Sequence, residues 1–483
     1  MTFCTEMRHA AFTLFASVVL WSSTAIAGGA ADQFPNQFYP EALPTDAQAQ
    51  AFPQEWRTYS SSNARNPAFA APPDSDVGRG LHWAFAGAGA VALDRPAVTI
   101  GASHGDEVFT PDSPPLDPRT VAYAVGMPVG VSVVKGVVYV GSDNGYTYAV
   151  NALTGALIWA HYGWNMTMSN PLVVDGRVFV TTGNPFFNYE HTMNYVQGKP
   201  AIRGPGLNTV FALDARSGKE LWRYHTPGQI MPTAAYQDGA LFVGTGDGHM
   251  YAVDATTGKL RWKTYLESFV SMSSTLAAEG LLFVGGTRPH FLYALETATG
   301  KIVWKQTIPD VVPTGIGDGT PSYAEGTVLQ MFTVKAGEKD KPLENVLVAM
   351  EARTGAIRWQ QRLGTGESFP GMKVAVATVT GDAVYAASPV SQRYFAFDVA
   401  TGRMRWATDL GGRSRSGAAI MDGVAYLPLN KGELLAIRTA DGAIVARKKV
   451  GGGFGPATPV LVGRTLYTAN MFGWVHAVPA FAP

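Results

Sequence analysis

The chain has 483 residues, a formal net charge of zero and one cysteine; 46% of its residues are hydrophobic and only 15% are charged. That balance excludes a disordered chain. Neutrality argues against nucleic acid as the main partner, because phosphate binding needs a clustered excess of Lys and Arg.

At the N-terminus, Arg8 and His9 precede a mostly apolar run that ends in Ala25-Ile26-Ala27. This pattern predicts a secretory signal peptide over residues 1–27, cut before Gly28. Cys4 lies before the apolar run, so the mature chain would contain no disulfide and no thiolate metal site. No later segment reaches ~18 consecutive apolar residues, so no transmembrane segment is expected in the mature chain. A soluble periplasmic protein is expected. Residues 28–77 are rich in Pro, Ala, Ser and Asn and are expected to wrap the outside of the domain. Leu81-His82-Trp83-Ala84-Phe85 reads as a strand, and the Pro-rich residues 86–124 read as a long insertion.

From there one unit recurs: a strand ending in Ala-x-Asp/Asn, a turn ending in Thr/Ser-Gly, then a strand centred on Trp. Its copies are Ala149 to Trp159, Ala212 to Trp222, Ala252 to Trp262, Ala294 to Trp304, Ala349 to Trp359 and Ala396 to Trp406. A seventh, Ala436 to Gly442, has Ala446 at the Trp position. The Trp-to-Trp intervals run from 40 to 63 residues, and a period near 40 suits one four-stranded propeller blade. The acidic or amide residue starts each turn, Gly takes the positive-φ position, and the flat indole packs against the next blade. An eighth set of strands lies at Thr458–Val462, Thr465–Thr468 and Trp474–Val478. It lacks a fourth strand, which Leu81–Phe85 would supply by closing the ring. The fold class is therefore all-β: a single eight-bladed β-propeller with tryptophan-docking repeats over residues 78–483. Residues 186–207 read as an insertion in the second blade, and 335–344 as a short charged loop.

The Ala-x-Asp-x-x-Thr-Gly-x-x-x-Trp unit resembles the repeat of the quinoprotein propellers, whose dehydrogenases use pyrroloquinoline quinone (PQQ). The resemblance covers nearly all of the mature chain. Relatives with the same repeat include the propeller lipoprotein of the outer-membrane β-barrel assembly machinery. Trp56-Arg57-Thr58-Tyr59, with Asn63 and Phe69, resembles the start of a quinoprotein alcohol dehydrogenase domain. Thr182-Gly183-Asn184-Pro185 resembles the family segment whose asparagine binds calcium beside PQQ. The resemblance thus implies PQQ and Ca²⁺ as cofactors and Asn184 as a metal and cofactor ligand, a role its side-chain oxygen suits. The chain also departs from that pattern. Thr226-Pro227-Gly228-Gln229 has no acid where the family has its catalytic Asp, and Gly141-Ser142-Asp143-Asn144-Gly145 has no Glu. Asp143 and Asp318 are the candidate substitutes for the missing base.

Trp164 and Asn165 follow the first full Trp strand, in a linker expected to point to the ring centre. Trp164 would either stack on a flat ligand or plug the channel. Met127, Met168, Met231, Met272 and Met372 recur where innermost strands begin, as channel filling or as thioether ligands for a soft metal. His104 and His191 fall in the two long insertions and read as solvent-exposed loop residues. Three functions fit: an exported propeller binding a small ligand or periplasmic protein through a degenerate dehydrogenase site; a PQQ- and calcium-dependent alcohol dehydrogenase passing electrons to a periplasmic acceptor; and an outer-membrane assembly scaffold.

Overall fold

The computed structural model describes residues 36–52, 55–58, 68–69, 81–88, 90, 93, 130–184, 187–313, 316–337, 342–369 and 373–481. The predicted signal peptide, most of the 86–124 insertion, His104, Met127 and Met372 lie outside these residues. Residues 35–483 form one compact unit.

Its strands make eight blades of four antiparallel strands, in chain order from the inside outward in blades 1 to 7; two short N-terminal strands add a fifth to blades 1 and 7. Blade 1 runs from Val131–Val134 to Leu157–Tyr162, and blade 2 from Leu172–Val174 to Glu220–Thr226. Blade 3 runs from Ala235–Gln237 to Leu260–Tyr265, and blade 4 from Leu276–Ala278 to Ile302–Gln306. Blade 5 spans Ser322–Ala324 to Ile357–Gly366, and blade 6 Thr378–Thr380 to Met404–Asp409. Blade 7 spans Ala419–Met421 to Ile444–Lys449. Blade 8 consists of Val460–Val462, Thr465–Ala469 and Trp474–Pro479, with Trp83–Ala86 as its outermost strand. The innermost strands of blades 8 and 1 lie against one another, as do those of blades 1 and 2.

The register explains the repeat. In blades 1 to 6 the motif Ala faces the motif Trp across the outer pair of strands, from Ala149 opposite Trp159 to Ala396 opposite Trp406. A bulge follows each of these alanines, which adds local twist. Each indole then reaches the next blade. Trp159 Nε1 donates to Ala215 O at 3.0 Å, Trp304 Nε1 to Ala352 O at 2.9 Å, and Trp359 Nε1 to Val399 O at 2.8 Å. The same bond joins Trp83 to Ala152 O at 3.0 Å, from blade 8 to blade 1. The motif Gly lies directly under the preceding blade's indole: a Cβ on Gly355 would sit 2.7 Å from Trp304. At the seventh copy Ala436 faces Ala446.

The N-terminal segment only partly follows its expected outer path. Gln37–Phe38 pair with Trp159–Ala160 on the outermost strand of blade 1. Trp56, in contrast, exchanges two 2.8 Å backbone bonds with Val133 on the innermost strand of that blade. Its indole donates to Leu461 O of blade 8 at 3.0 Å, and Val173 N of blade 2 donates to Arg57 O at 2.7 Å. Ala68–Phe69 run parallel to Ile420–Met421, innermost in blade 7. The segment therefore satisfies free edges of inner strands, which would otherwise carry unpaired backbone groups.

Candidate anion site at the channel mouth

In an antiparallel blade read from the inside outward, the loop between the second and third strands leaves at one end. The linker from the outermost strand to the next blade leaves at that same end. Five such segments bring together a set of polar side chains whose members are remote in sequence. Asp318, in the linker from blade 4 to blade 5, is buried. Its Oδ1 accepts a 2.5 Å bond from Ser271 Oγ, in the linker from blade 3 to blade 4. Arg203, from the blade 2 insertion, donates through Nη1 to the same Ser271 oxygen. Lys373 and Arg415, in the linkers into blades 6 and 7, also act on the Asp318 carboxyl. Burial pushes that carboxyl above the usual carboxylate range. Arg203, the Ser271 bond, Lys373 and Arg415 all pull it the other way. Burial likewise lowers Lys373, with Arg415 adding to the effect and Asp318 opposing it.

The backbone under these groups is fixed. Gly246 O accepts from Arg203 N at 2.9 Å, and Arg203 O accepts from Gln229 N at 3.0 Å. Gln229, which stands where the quinoprotein pattern has its acid, is fully buried and donates to Val270 O at 2.7 Å. It thus holds the strand of chain carrying Ser271. Lys373 O accepts from the buried Asn345 Nδ2 at 2.8 Å. Asn430 N donates to Arg413 O at 2.8 Å. The site is therefore braced by backbone pairing, which lowers the cost of holding like charges together.

The residues singled out in the sequence divide. Asn165 and Asn184 come together around Asn208, whose Oδ1 accepts from Asn184 N at 3.2 Å and lies 3.4 Å from Asn165 Nδ2. The blade 2 insertion closes over them: a Cβ on Gly204 would sit 1.9 Å from Asn184 O. Trp164 corrects the expectation of a channel-facing ring. It packs edge-on to Phe211 at 4.9 Å, with the Arg223 guanidinium 5.0 Å above it. Phe211 and Arg223 belong to the two outer strands of blade 2. The positive φ of 51° at Trp164 turns the indole between blades instead of toward the centre. Met168 and Met231 form one buried cluster with Met166, and Met272 packs against it. His191 is not a free loop residue: its Nδ1 accepts from Ile202 N at 3.1 Å and ties the insertion together. Asp143 is buried in the blade 1 loop.

The donor set around Asp318 does not suit calcium. Among the described residues no three His, Cys, Asp or Glu side chains group to hold a metal ion. The mouth carboxylate that does occur stands among Arg203, Lys373 and Arg415, whose positive field repels a divalent cation. The same field favours an anion. Sequence reasoning named Asp318 but missed Arg203, Ser271, Lys373 and Arg415. No local motif joins them; the only signal was that all fall in segments the blade topology sends to one end.

A family model described as outer membrane protein assembly factor BamB, built on the PQQ repeat, matches residues 100–192, 206–284 and 270–478. The chain belongs to this PQQ-repeat family. It is 34% identical to a tetrathionate hydrolase of Acidithiobacillus ferrooxidans, over 91% of this chain and 89% of that protein. A tetrathionate hydrolase of Acidianus ambivalens is 27% identical over 74% of this chain and 71% of its own length. In fold the chain resembles a europium-containing methanol dehydrogenase, with a TM-score of 0.58, 13% identity and coverage of 88% and 91%. No helix among the described residues is long and apolar enough to cross a membrane.

Proposed function

We propose that this propeller hydrolyses a sulfur oxyanion of the tetrathionate type at Asp318, in the periplasm. The observation that carries this reading is a buried carboxyl, hydrogen-bonded to Ser271 and raised by burial, among three cationic side chains. Likeness to two proteins named tetrathionate hydrolase supports the substrate class. The signal peptide read at residues 1–27 supports the compartment.

Tetrathionate has two sulfonate ends joined through two sulfane sulfurs. Arg203, Lys373 and Arg415 would hold sulfonate oxygens by charge-assisted hydrogen bonds and offset the charge of the departing fragment. Water adds to one sulfonate sulfur as the bond from that sulfur to its sulfane neighbour breaks. Asp318 gives its proton to the departing sulfane sulfur and recovers one from the attacking water. The products, hydrogensulfate and HSS–SO₃⁻, account for every atom and charge of tetrathionate plus water, so no external oxidant or reductant enters. Ser271 keeps Asp318 oriented through its 2.5 Å bond.

The test is sulfate release from tetrathionate by the purified protein. Asp318→Asn keeps the shape and the acceptor oxygen for Ser271 but cannot donate an acidic proton. It should lower kcat by about 10²–10⁴-fold, the usual contribution of a positioned acid–base group. A wild-type protein without turnover, or a variant within tenfold of wild type, would refute the proposal.

A further inference from the structure

Near Asp318, three cations gather over one aromatic ring. The Arg413 guanidinium lies 4.4 Å from the centre of Phe369, Arg415 lies 5.4 Å from it, and Lys373 Nζ 5.8 Å. Lys373 and Arg415 also act on Asp318. Phe369 thus joins the two cations that act on Asp318, Lys373 and Arg415, to a third, Arg413. Arg413 Nε is buried and finds no acceptor among the described residues. Its main chain is nonetheless held by Asn430 on both sides, with Arg413 N donating to Asn430 Oδ1 at 3.2 Å. A fixed guanidinium with an unused donor, stacked on a ring that covers one face, presents its edge to an anion.

We propose that Arg413 and Phe369 form a second anion subsite, which receives the far sulfonate of a substrate whose near end lies at Asp318. This rests on the hydrolase reading for the identity of the near end. The subsite makes the protein selective for anions charged at both termini. A monoanion would leave the Arg413 end unneutralised.

The test uses binding and not turnover. 1,2-Ethanedisulfonate has carbon in place of both sulfane sulfurs of tetrathionate and resists hydrolysis; methanesulfonate supplies one end only. Calorimetry on the full-length exported protein should show the disulfonate binding about 100-fold tighter, as charge-assisted contacts at a second site allow. Arg413→Gln should reduce that preference about tenfold or more and change methanesulfonate affinity by less than about twofold. Phe369→Leu, which keeps the fold's apolar contact but removes the ring face, should act in the same direction. Equal binding of the two probes by the wild type, or equal weakening of both by Arg413→Gln, would overturn the proposal. A protein that prefers the disulfonate through Arg413 yet leaves tetrathionate intact would refute the hydrolase reading and keep the subsite. Turnover without the preference would do the reverse.

Discussion

Two glycines with the same backbone angle separate the needs of a turn from the needs of an interface. Gly176 and Gly258 both have φ of 71°. A Cβ at Gly176 meets nothing within 4 Å, whereas at Gly258 it would lie 2.7 Å from the Trp222 ring. Replacing either by Ala places an L-residue in the left-handed region, at a cost of about 1–2 kcal/mol. Only Gly258→Ala must also push an indole away, because carbon contacts are comfortable at about 3.5–4 Å. Trp222 Nε1 donates to Ala255 O at 3.2 Å, and its ring packs 5.9 Å from Phe179. Losing that hydrogen bond while the groups stay buried adds about 1–3 kcal/mol. Gly258→Ala should therefore cost about 2 kcal/mol more than Gly176→Ala. Urea unfolding followed by tryptophan fluorescence reads the difference from the midpoints. Trp222→Leu in the Gly258→Ala background should recover part of the loss, since the clash is gone. Equal destabilisation by the two glycine changes would refute the claim that the motif Gly exists to admit the indole.

Other outcomes follow from the charged groups. The Asp318 carboxyl has a raised pKa in the fold, so the folded state holds its proton more tightly than the unfolded chain. Stability from this group is present in acid and is lost as pH rises through the unfolded value and toward the folded one; Asp318→Asn should flatten that decline in thermal melts from acidic to neutral pH. His161 runs the other way: burial first, and then Arg223, depress it from 6.5 to about 4. Stability should fall as pH drops from 6.5 toward 4, by up to about 3 kcal/mol, because the unfolded imidazole takes up the proton. Neither ring nitrogen of His161 makes a hydrogen bond among the described residues, so His161→Phe should fold and remove that acid sensitivity in urea titrations at pH 4 and 7. Chelation of calcium should leave both sulfate release and melting temperature unchanged, and Asn184→Ala should leave disulfonate affinity unchanged. Loss of either on chelation would show that a cation belongs at the mouth.

Sequence by itself determined the blades. Each repeat carries its own strand, turn and docking residue, so one period is legible without knowledge of any other. Even the missing Trp at Ala446 could be read locally, and the register confirms it opposite Ala436. Tertiary structure decided the site. Arg203, Ser271, Asp318, Lys373, Arg413 and Arg415 span more than two hundred residues of chain and share no spacing; they meet because antiparallel blades send every inter-blade linker to one end. Tertiary structure also decided the places of residues 56–57 and 68–69, whose pairing with inner strands of blades 1, 2 and 7 leaves no trace in composition. It turned Trp164 away from the channel, through one positive φ that no pattern of residue types foretold. A repeat is encoded by short-range chemistry, so it survives in the sequence as a period. A site built from the linkers and loops of several blades is encoded only by their assembly, and its members carry no mark until the blades are packed together.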